Sequence, residues 1–148
     1  MKSSFSQERS LVQLDSTAFL ADSELIRALN EHATPIVCDT DRILFQQDDP
    51  PVGLYILHEG EATISMTSQD GQTILSVQAR DGSLLGLPGL ISNQPYSLTA
   101  VAHAGARVSF LGRTEFTTLM ESNPPLAFKI LQVLAAEVRS ARNALRDR

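Results

Sequence analysis

The sequence predicts a mainly β fold with flanking helices: short helices first, then an antiparallel sandwich or barrel, then a long closing helix. Three patterns carry that expectation. Apolar residues alternate with polar ones over 62–66 and 106–110. Turn dipeptides recur about every ten residues through the middle of the chain. From Ala127 onward the apolar residues take up a helical spacing.

Composition bounds the answer. The 148 residues make one domain at roughly 150 residues per domain. With 43% hydrophobic and 20% charged residues, the chain can bury a core and is too apolar for a disordered one. Twelve basic residues against 17 acidic ones give a net charge of −5, the wrong sign for holding nucleic acid through its phosphates. The one cysteine, Cys38, excludes an internal disulfide, a four-cysteine zinc site and a cysteine-ligated iron–sulfur cluster, and it points to a reducing cytoplasm. The most apolar run, 84–91, is broken by Gly86, Pro88 and Gly89, so no membrane span is expected. Ser3, Ser4, Ser6, Gln7, Glu8 and Arg9 stand where a signal peptide needs apolar residues.

Residues 1–13 are polar and patternless and read as a loose arm ahead of a single domain, 14–148. Asp15 and Asp22 have the side chains of helix N-caps. Phe19 and Leu20 follow the first, and Leu25, Ile26 and Leu29 the second. The barrel is expected over about 34–112. Its first strands are the β-prone runs 34–38 and 43–45, separated by Asp39, Thr40 and Asp41 and ended by Asp48, Asp49, Pro50 and Pro51. Ala62, Ile64 and Met66 then alternate with Thr63, Ser65 and Thr67, and Ala106, Val108 and Phe110 with Arg107 and Ser109, which predicts one buried face per strand. Glu59-Gly60, Asp70-Gly71, Asp81-Gly82 and Ala104-Gly105 are turn pairs that tolerate positive φ.

After Leu111 the helices return, over about 113–147. Thr114, Glu115, Phe116, Leu119 and Met120 predict a short helix ending at Ser122-Asn123, and Pro124 and Pro125 open a second, where first-turn amides have no partner to lose. On this last helix Ala127, Leu131, Leu134, Val138, Ala141 and Leu145 recur at alternating steps of four and three, the seam of a coiled coil. Such a stripe can lie on its own barrel or on a second copy. The charged flanks Glu137, Arg139, Arg142, Arg146, Asp147 and Arg148 favour a homodimer through Leu131, Leu134, Val138, Ala141 and Leu145, with Phe128, Ile130 and Val133 anchoring the near half to the barrel.

Two stretches then resemble a known family. Residues 42–62, RILFQQDDPPVGLYILHEGEA, are similar to the opening strands of cyclic-nucleotide-binding domains of the catabolite-activator and FNR type. Residues 81–102, DGSLLGLPGLISNQPYSLTAVA, stand where that family keeps its phosphate-binding cassette. Phe116, Asn123-Pro124 and the long last helix extend the resemblance over about 14–148. It implies a double-stranded β-helix, or jelly-roll, barrel with short N-terminal helices and a C-terminal dimerisation helix. In the family an acid after the first cassette glycine binds the ribose hydroxyl, and an arginine before a small hydroxyl residue pairs with the phosphate.

Here the glycine is Gly86, but Leu87 stands at the acidic position and Tyr96, followed by Ser97, at the arginine. Tyrosine supplies one neutral hydroxyl where a guanidinium supplies a charged fork. At roughly 1.5–3 kcal/mol per lost charged hydrogen bond, affinity for a cyclic nucleotide should fall by orders of magnitude. On the long helix, Ala141 and Arg142 stand where catabolite activators place hydroxyls against the base, with Ser140 one residue off register. Asp48 replaces a family glycine in an early turn, a substitution aspartate can sustain in a left-handed conformation. Family transcription factors continue into a helix-turn-helix, whereas this sequence ends three residues after Leu145, so no direct nucleic-acid contact is expected.

Gly86, Leu87, Gly89 and Leu90 with Tyr96 and Ser97 are the candidate ligand-binding residues. Tyr96 and Ser97 would either line a pocket floored by Gly86, Leu87 and Leu90, suited to an uncharged small-molecule effector, or fill it. His32, His58 and His103 lack the clustered spacing of a cupin metal site, and nothing in the sequence supports haem through His58, His103 or Cys38. His58 reads as an exposed hairpin residue and Cys38 as a buried thiol. No catalytic triad or P-loop is present, and no cofactor is expected. The functional expectation is a non-enzymatic, dimeric sensor module, acting on a regulatory protein partner. The alternatives are a structural interaction domain with a self-filled pocket and, less favoured, a metal-binding cupin-like protein.

Overall fold

Four helices and eight strands follow one another in residues 11–147, the part of the chain that the computed structural model describes. Helix α1 is Ser23–Asn30. The strands are β1 Thr34–Ile36, β2 Arg42–Phe45, β3 Gly53–Glu59, β4 Ala62–Thr67, β5 Thr73–Ala79 and β6 Ser83–Leu85, then, after helix α2 Leu87–Ser92, β7 Thr99–Ala102 and β8 Arg107–Gly112. Helices α3 Arg113–Ser122 and α4 Pro124–Arg146 close the chain. The strands form two four-stranded sheets, ordered β1-β8-β3-β6 and β2-β7-β4-β5. Every pairing is antiparallel. This is the expected jelly roll.

The four glycines of the predicted turn pairs all have positive φ. At Gly60 a Cβ would also stand 2.9 Å from Ala106 Cα, so this turn has no room for a side chain. Asp48 adopts φ 77°, the left-handed conformation that its place in the sequence required.

Of the two leading helices only the second exists among the described residues. Asp22 caps α1 by accepting from the Leu25 amide at 2.7 Å. Asp15 instead accepts from the Thr17 amide at 2.9 Å in a tight turn. Phe19, 2% exposed, dives from that turn into the sandwich, and its carbonyl takes the Leu84 amide at 2.9 Å. A helix over 16–20 would not let Phe19 make that pairing. Residues 1–10 of the expected arm lie outside the described residues. Its end is not loose: Val12 bridges Leu75 and donates to the Ile74 carbonyl at 2.8 Å.

Two apolar clusters explain where the strand alternation holds and where it fails. The first lies between the sheets and includes Phe45, Tyr55, Leu57, Ile64, Tyr96 and Val108. The second lies on the outer face of β1-β8-β3-β6, where Leu54, Ile56, Leu84 and Leu111 meet Leu25 and Leu29 of α1, Phe116 of α3 and Leu126, Ile130 and Val133 of α4. That sheet is covered on both faces, so β3 is buried almost throughout. Ser109, expected to face solvent, is 5% exposed, and its hydroxyl lies 2.9 Å from His58 Nε2. His58 is accordingly half-buried rather than an exposed hairpin residue. Burial, reinforced by Arg107 and opposed by Glu59, lowers its pKa. The other sheet keeps one open face, and β5 retains its two-residue alternation.

The Asn123 side chain accepts from the Leu126 amide to open α4, with proline in the first turn as predicted. Lys129 then ties the near half of α4 to α1 through Asp22 at 3.0 Å and Glu24 at 2.7 Å.

Candidate functional site

The cassette begins where β6 ends. Gly86, at φ 94° and ψ 8°, turns the chain into α2, and a Cβ there would stand 3.0 Å from Tyr96 Cε1. Asn93, also left-handed at φ 57°, ends the helix. The chain then passes so close to Gly89 that a Cβ at that position would meet the Gln94 carbonyl at 2.9 Å. The Tyr96 backbone clasps the turn after β2, its carbonyl accepting from Asp48 N at 2.8 Å and its amide donating to Asp49 O at 2.9 Å.

These contacts aim the Tyr96 side chain inward, where it is 2% exposed. Its ring stacks on Phe45 with centroids 4.1 Å apart and planes at 24°. Its hydroxyl donates to the Gly53 carbonyl at 2.7 Å and accepts from the Val52 and Gly53 amides at 3.1 Å each. One donor and two acceptor positions are thus all used. Burial raises the Tyr96 pKa against the opposing pull of the two amides, and burial pushes Tyr55 up to about 12. For both residues the folded value lies above the unfolded one near 10. Their contribution to stability is therefore complete below pH 10 and lost as pH rises through the folded values. These are the chain's two tyrosines, so in the folded protein ultraviolet titration should show phenolate appearing only above the ordinary tyrosine range. A normal tyrosine transition at pH 10 before unfolding would contradict the buried hydroxyl.

The structure divides the residues expected at the pocket floor. Leu87 and Leu90, three residues apart on α2, share the face that packs into the helix-covered cluster with Leu54 and Ile56. The opposite face of α2, with Gly86, Pro88 and Gly89, turns toward Tyr96, Phe45, Ile64 and Leu85. Ser97 is exposed and stands at the mouth. The space left among these groups is about 10 Å³, at or below what one water molecule needs and far below the hundreds of Å³ of a ligand pocket. Tyr96 and Phe45 fill the rest.

Glu137 of α4, assigned by sequence to the charged outer flank, instead lines this space. It is half-buried, and burial pushes its carboxyl up to about 7. Ile130 and Val133, seven and four residues earlier on the same helical face, are buried, and the rotation of α4 that buries them brings Glu137 to this space.

On α4, Leu126, Ile130 and Val133 are buried. Leu134 and Ala141 are half-buried. Leu131, Val138 and Leu145 are exposed at 52%, 43% and 58%. Phe128 is a correction: it does not anchor the helix to the barrel but is 62% exposed, on the same side as Leu131 and Val138. It lies two residues from both Leu126 and Ile130, roughly 200° away around the helix, so it cannot share their face.

Elsewhere, Cys38 is buried in the sandwich, which raises its thiol pKa. His103 Nε2 lies 2.7 Å from Thr63 Oγ1. Among the described residues no three histidine, cysteine or acidic side chains are grouped to hold a metal ion. Among the same residues no helix is long and apolar enough to cross a membrane.

Comparison with known proteins agrees with this architecture. The family profile described as cyclic nucleotide-binding domain matches residues 35–123, more than half of the chain. A CRP-like cAMP-activated global transcriptional regulator of Mycobacterium tuberculosis is 23% identical over 122 residues, covering 82% of this chain and 54% of that protein. The chain therefore spans about half the length of the curated relatives it matches. The catabolite activator protein of Thermus thermophilus superposes with a TM-score of 0.73 at 22% identity, over 84% of this chain and 59% of the other. The c-di-GMP responsive global regulator CLP of Xanthomonas campestris gives 0.70 at 19% identity, over 83% and 60%. With its jelly roll, its cassette between β6 and β7 and its long closing helix, the chain belongs to the cyclic nucleotide-binding domain family.

Proposed function

We propose that this chain is a non-enzymatic, cytoplasmic regulatory module that pairs with a second copy through α4 and does not take cyclic AMP in the manner of its relatives. The observation that supports this most directly is the Tyr96 hydroxyl. All of its hydrogen-bonding capacity is spent on Val52 and Gly53, at the position where the family's arginine would meet a phosphate. Leu87, in place of the ribose-binding acid, is committed to the helix-covered cluster. An incoming cyclic nucleotide would have to displace a stacked, triply hydrogen-bonded ring and would then find no cation among the described residues lining the space.

Two versions of this function remain distinct. In one, an uncharged small-molecule effector displaces Tyr96. Moving the ring would alter how Leu126, Ile130 and Val133 seat on the barrel, and hence the angle between the two copies of α4. In the other, the module is a structural interaction domain whose pocket stays filled by its own side chains, a version favoured by the 10 Å³ of free space. In both, the output is contact with a regulatory protein rather than with nucleic acid, in keeping with the net charge of −5. Isothermal titration with cyclic AMP, cyclic GMP and cyclic di-GMP should give no heat of binding at tens of micromolar protein. Saturable binding at micromolar concentration, abolished by removing the cyclic phosphate, would overturn the proposal.

A further inference from the structure

The cassette space is lined on one side by the Glu137 carboxyl, which has no salt-bridge partner among the described residues, and the helix that carries this group also carries the proposed pairing seam. With Leu131, Leu134, Val138, Ala141 and Leu145 as the seam, Glu137 immediately precedes Val138 and Arg142 immediately follows Ala141. They lie on opposite flanks of the seam, five residues apart. In a parallel two-stranded coiled coil, a residue on the first flank faces the residue five positions later on the second flank of the other helix. The two flanks differ here. The first flank, with Ile130 and Glu137, is turned to the barrel. The second, with Phe128 and Arg142, is bare.

Building on the α4 pairing proposed above, we infer that in a parallel dimer Arg142 of the partner subunit reaches Glu137 and closes the mouth of the cassette space, so that each cassette is completed by the other copy. Three observations converge on this arrangement. The spacing of five residues selects this contact in a parallel pair, and an antiparallel pair would set like flanks together. The charges are opposite. The Glu137 carboxyl, surrounded by apolar lining such as Pro88 and Leu98, has Tyr96 as the other titratable group lining the space, and Tyr96 stays neutral. The groove beside it, between residues 11–18 and α4, contributes Asp15, Arg139 and Asp147.

The arrangement links pairing to pH. In the single chain burial pushes the Glu137 carboxyl up to about 7, and a guanidinium beside it would draw it back down. The ion pair is then fully present above pH 7 and is lost as pH falls through the monomer and dimer values. Two protons are taken up per dimer that dissociates, so the dimerisation constant can fall by up to about a hundredfold per pH unit in that window.

Sedimentation equilibrium of the full chain between pH 5.5 and 8 tests the contact. Arg142→Glu should weaken the dimer at least about tenfold at pH 8. It should also reverse the pH trend, since protonating Glu137 would then relieve repulsion. Mixing R142E with E137R should yield a heterodimer tighter than either parent, because both crossed contacts become attractive. Thermal melts report whether E137R folds, and if it does not, the sign of the R142E trend decides alone. Glu137→Gln should flatten the pH dependence. An R142E protein that pairs as tightly as the wild type, with the same pH slope, overturns this contact and leaves the dimer intact. A wild-type chain that is monomeric at every pH overturns both the contact and the dimer.

Discussion

Tyr96→Phe is expected to destabilise the chain by about 2–4 kcal/mol, although it removes a single oxygen atom. The ring keeps its stack on Phe45, so little packing is lost. What changes is that the Gly53 carbonyl and the Val52 and Gly53 amides lose their partner at once. Gly53 is buried, and each orphaned buried group costs roughly 1–3 kcal/mol. Exposed Val52 can turn partly to water, which keeps the total below the sum of three. At ~2–4 °C per kcal/mol for a domain of this size, the melting temperature should fall by roughly 4–16 °C. A loss below about 1 kcal/mol in thermal or urea denaturation would mean that the hydroxyl does not anchor the cassette to the start of β3. The support for a filled pocket would go with it.

Replacing Leu131 and Val138 together by lysine should abolish pairing while leaving the barrel untouched. Both side chains are about half exposed in the single chain, so the fold loses little. In a dimer each would be covered, at a value of about 1.5 kcal/mol or more per side chain. Four such residues per dimer amount to roughly 6 kcal/mol, or about four decades in the dimerisation constant. Sedimentation should therefore show monomers at concentrations where the wild type is fully dimeric, with a melting temperature for the isolated chain within a few degrees of its former value. A dimer that survives the double substitution would place the interface elsewhere. Leu134 suits this test less well, because it also packs against the helix-covered cluster.

Local chemistry was legible in the sequence wherever a residue's role depends on its immediate neighbours. The turn glycines, the left-handed Asp48, the Asp22 and Asn123 caps and the apolar spacing of α4 all follow from backbone sterics or from short-range hydrogen bonding. The same signals mislead where two elements compete for one residue. Asp15 carries a helix-capping side chain as good as that of Asp22, but Phe19 gains more from entering the sandwich than from a helical turn. Ser109 alternates as an outward residue should, yet helices cover that outer face and make a second interior.

The candidate site shows the same division. That Leu87 and Tyr96 stand where the family resemblance places an acid and an arginine is a reading of the sequence that needs no coordinates. Whether Tyr96 lines a space or occupies it depends on where Gly53, more than forty residues earlier, presents its backbone. Leu87 and Leu90, expected at the pocket floor, pack instead into the helix-covered cluster, while Pro88 and Gly89 on the same short helix line the space beside Tyr96. Phe128 and Glu137 exchange the roles that their polarity suggests. The rotation of α4 is set by Leu126, Ile130 and Val133 and by the Lys129 ties to α1, which leaves the phenylalanine outside and brings the carboxylate to the cassette.

From its order of residues alone, the chain specified an antiparallel strand core between helices, Leu87 and Tyr96 at the cassette and an apolar stripe along the last helix, because periodicity, turn chemistry and residue type are short-range properties. Only the folded structure decided which way α2 and α4 are rotated, that Tyr96 fills the space beside α2 and that Glu137 lines it. Those outcomes depend on contacts between segments far apart in sequence, where close packing lets one side chain occupy a space and excludes every other.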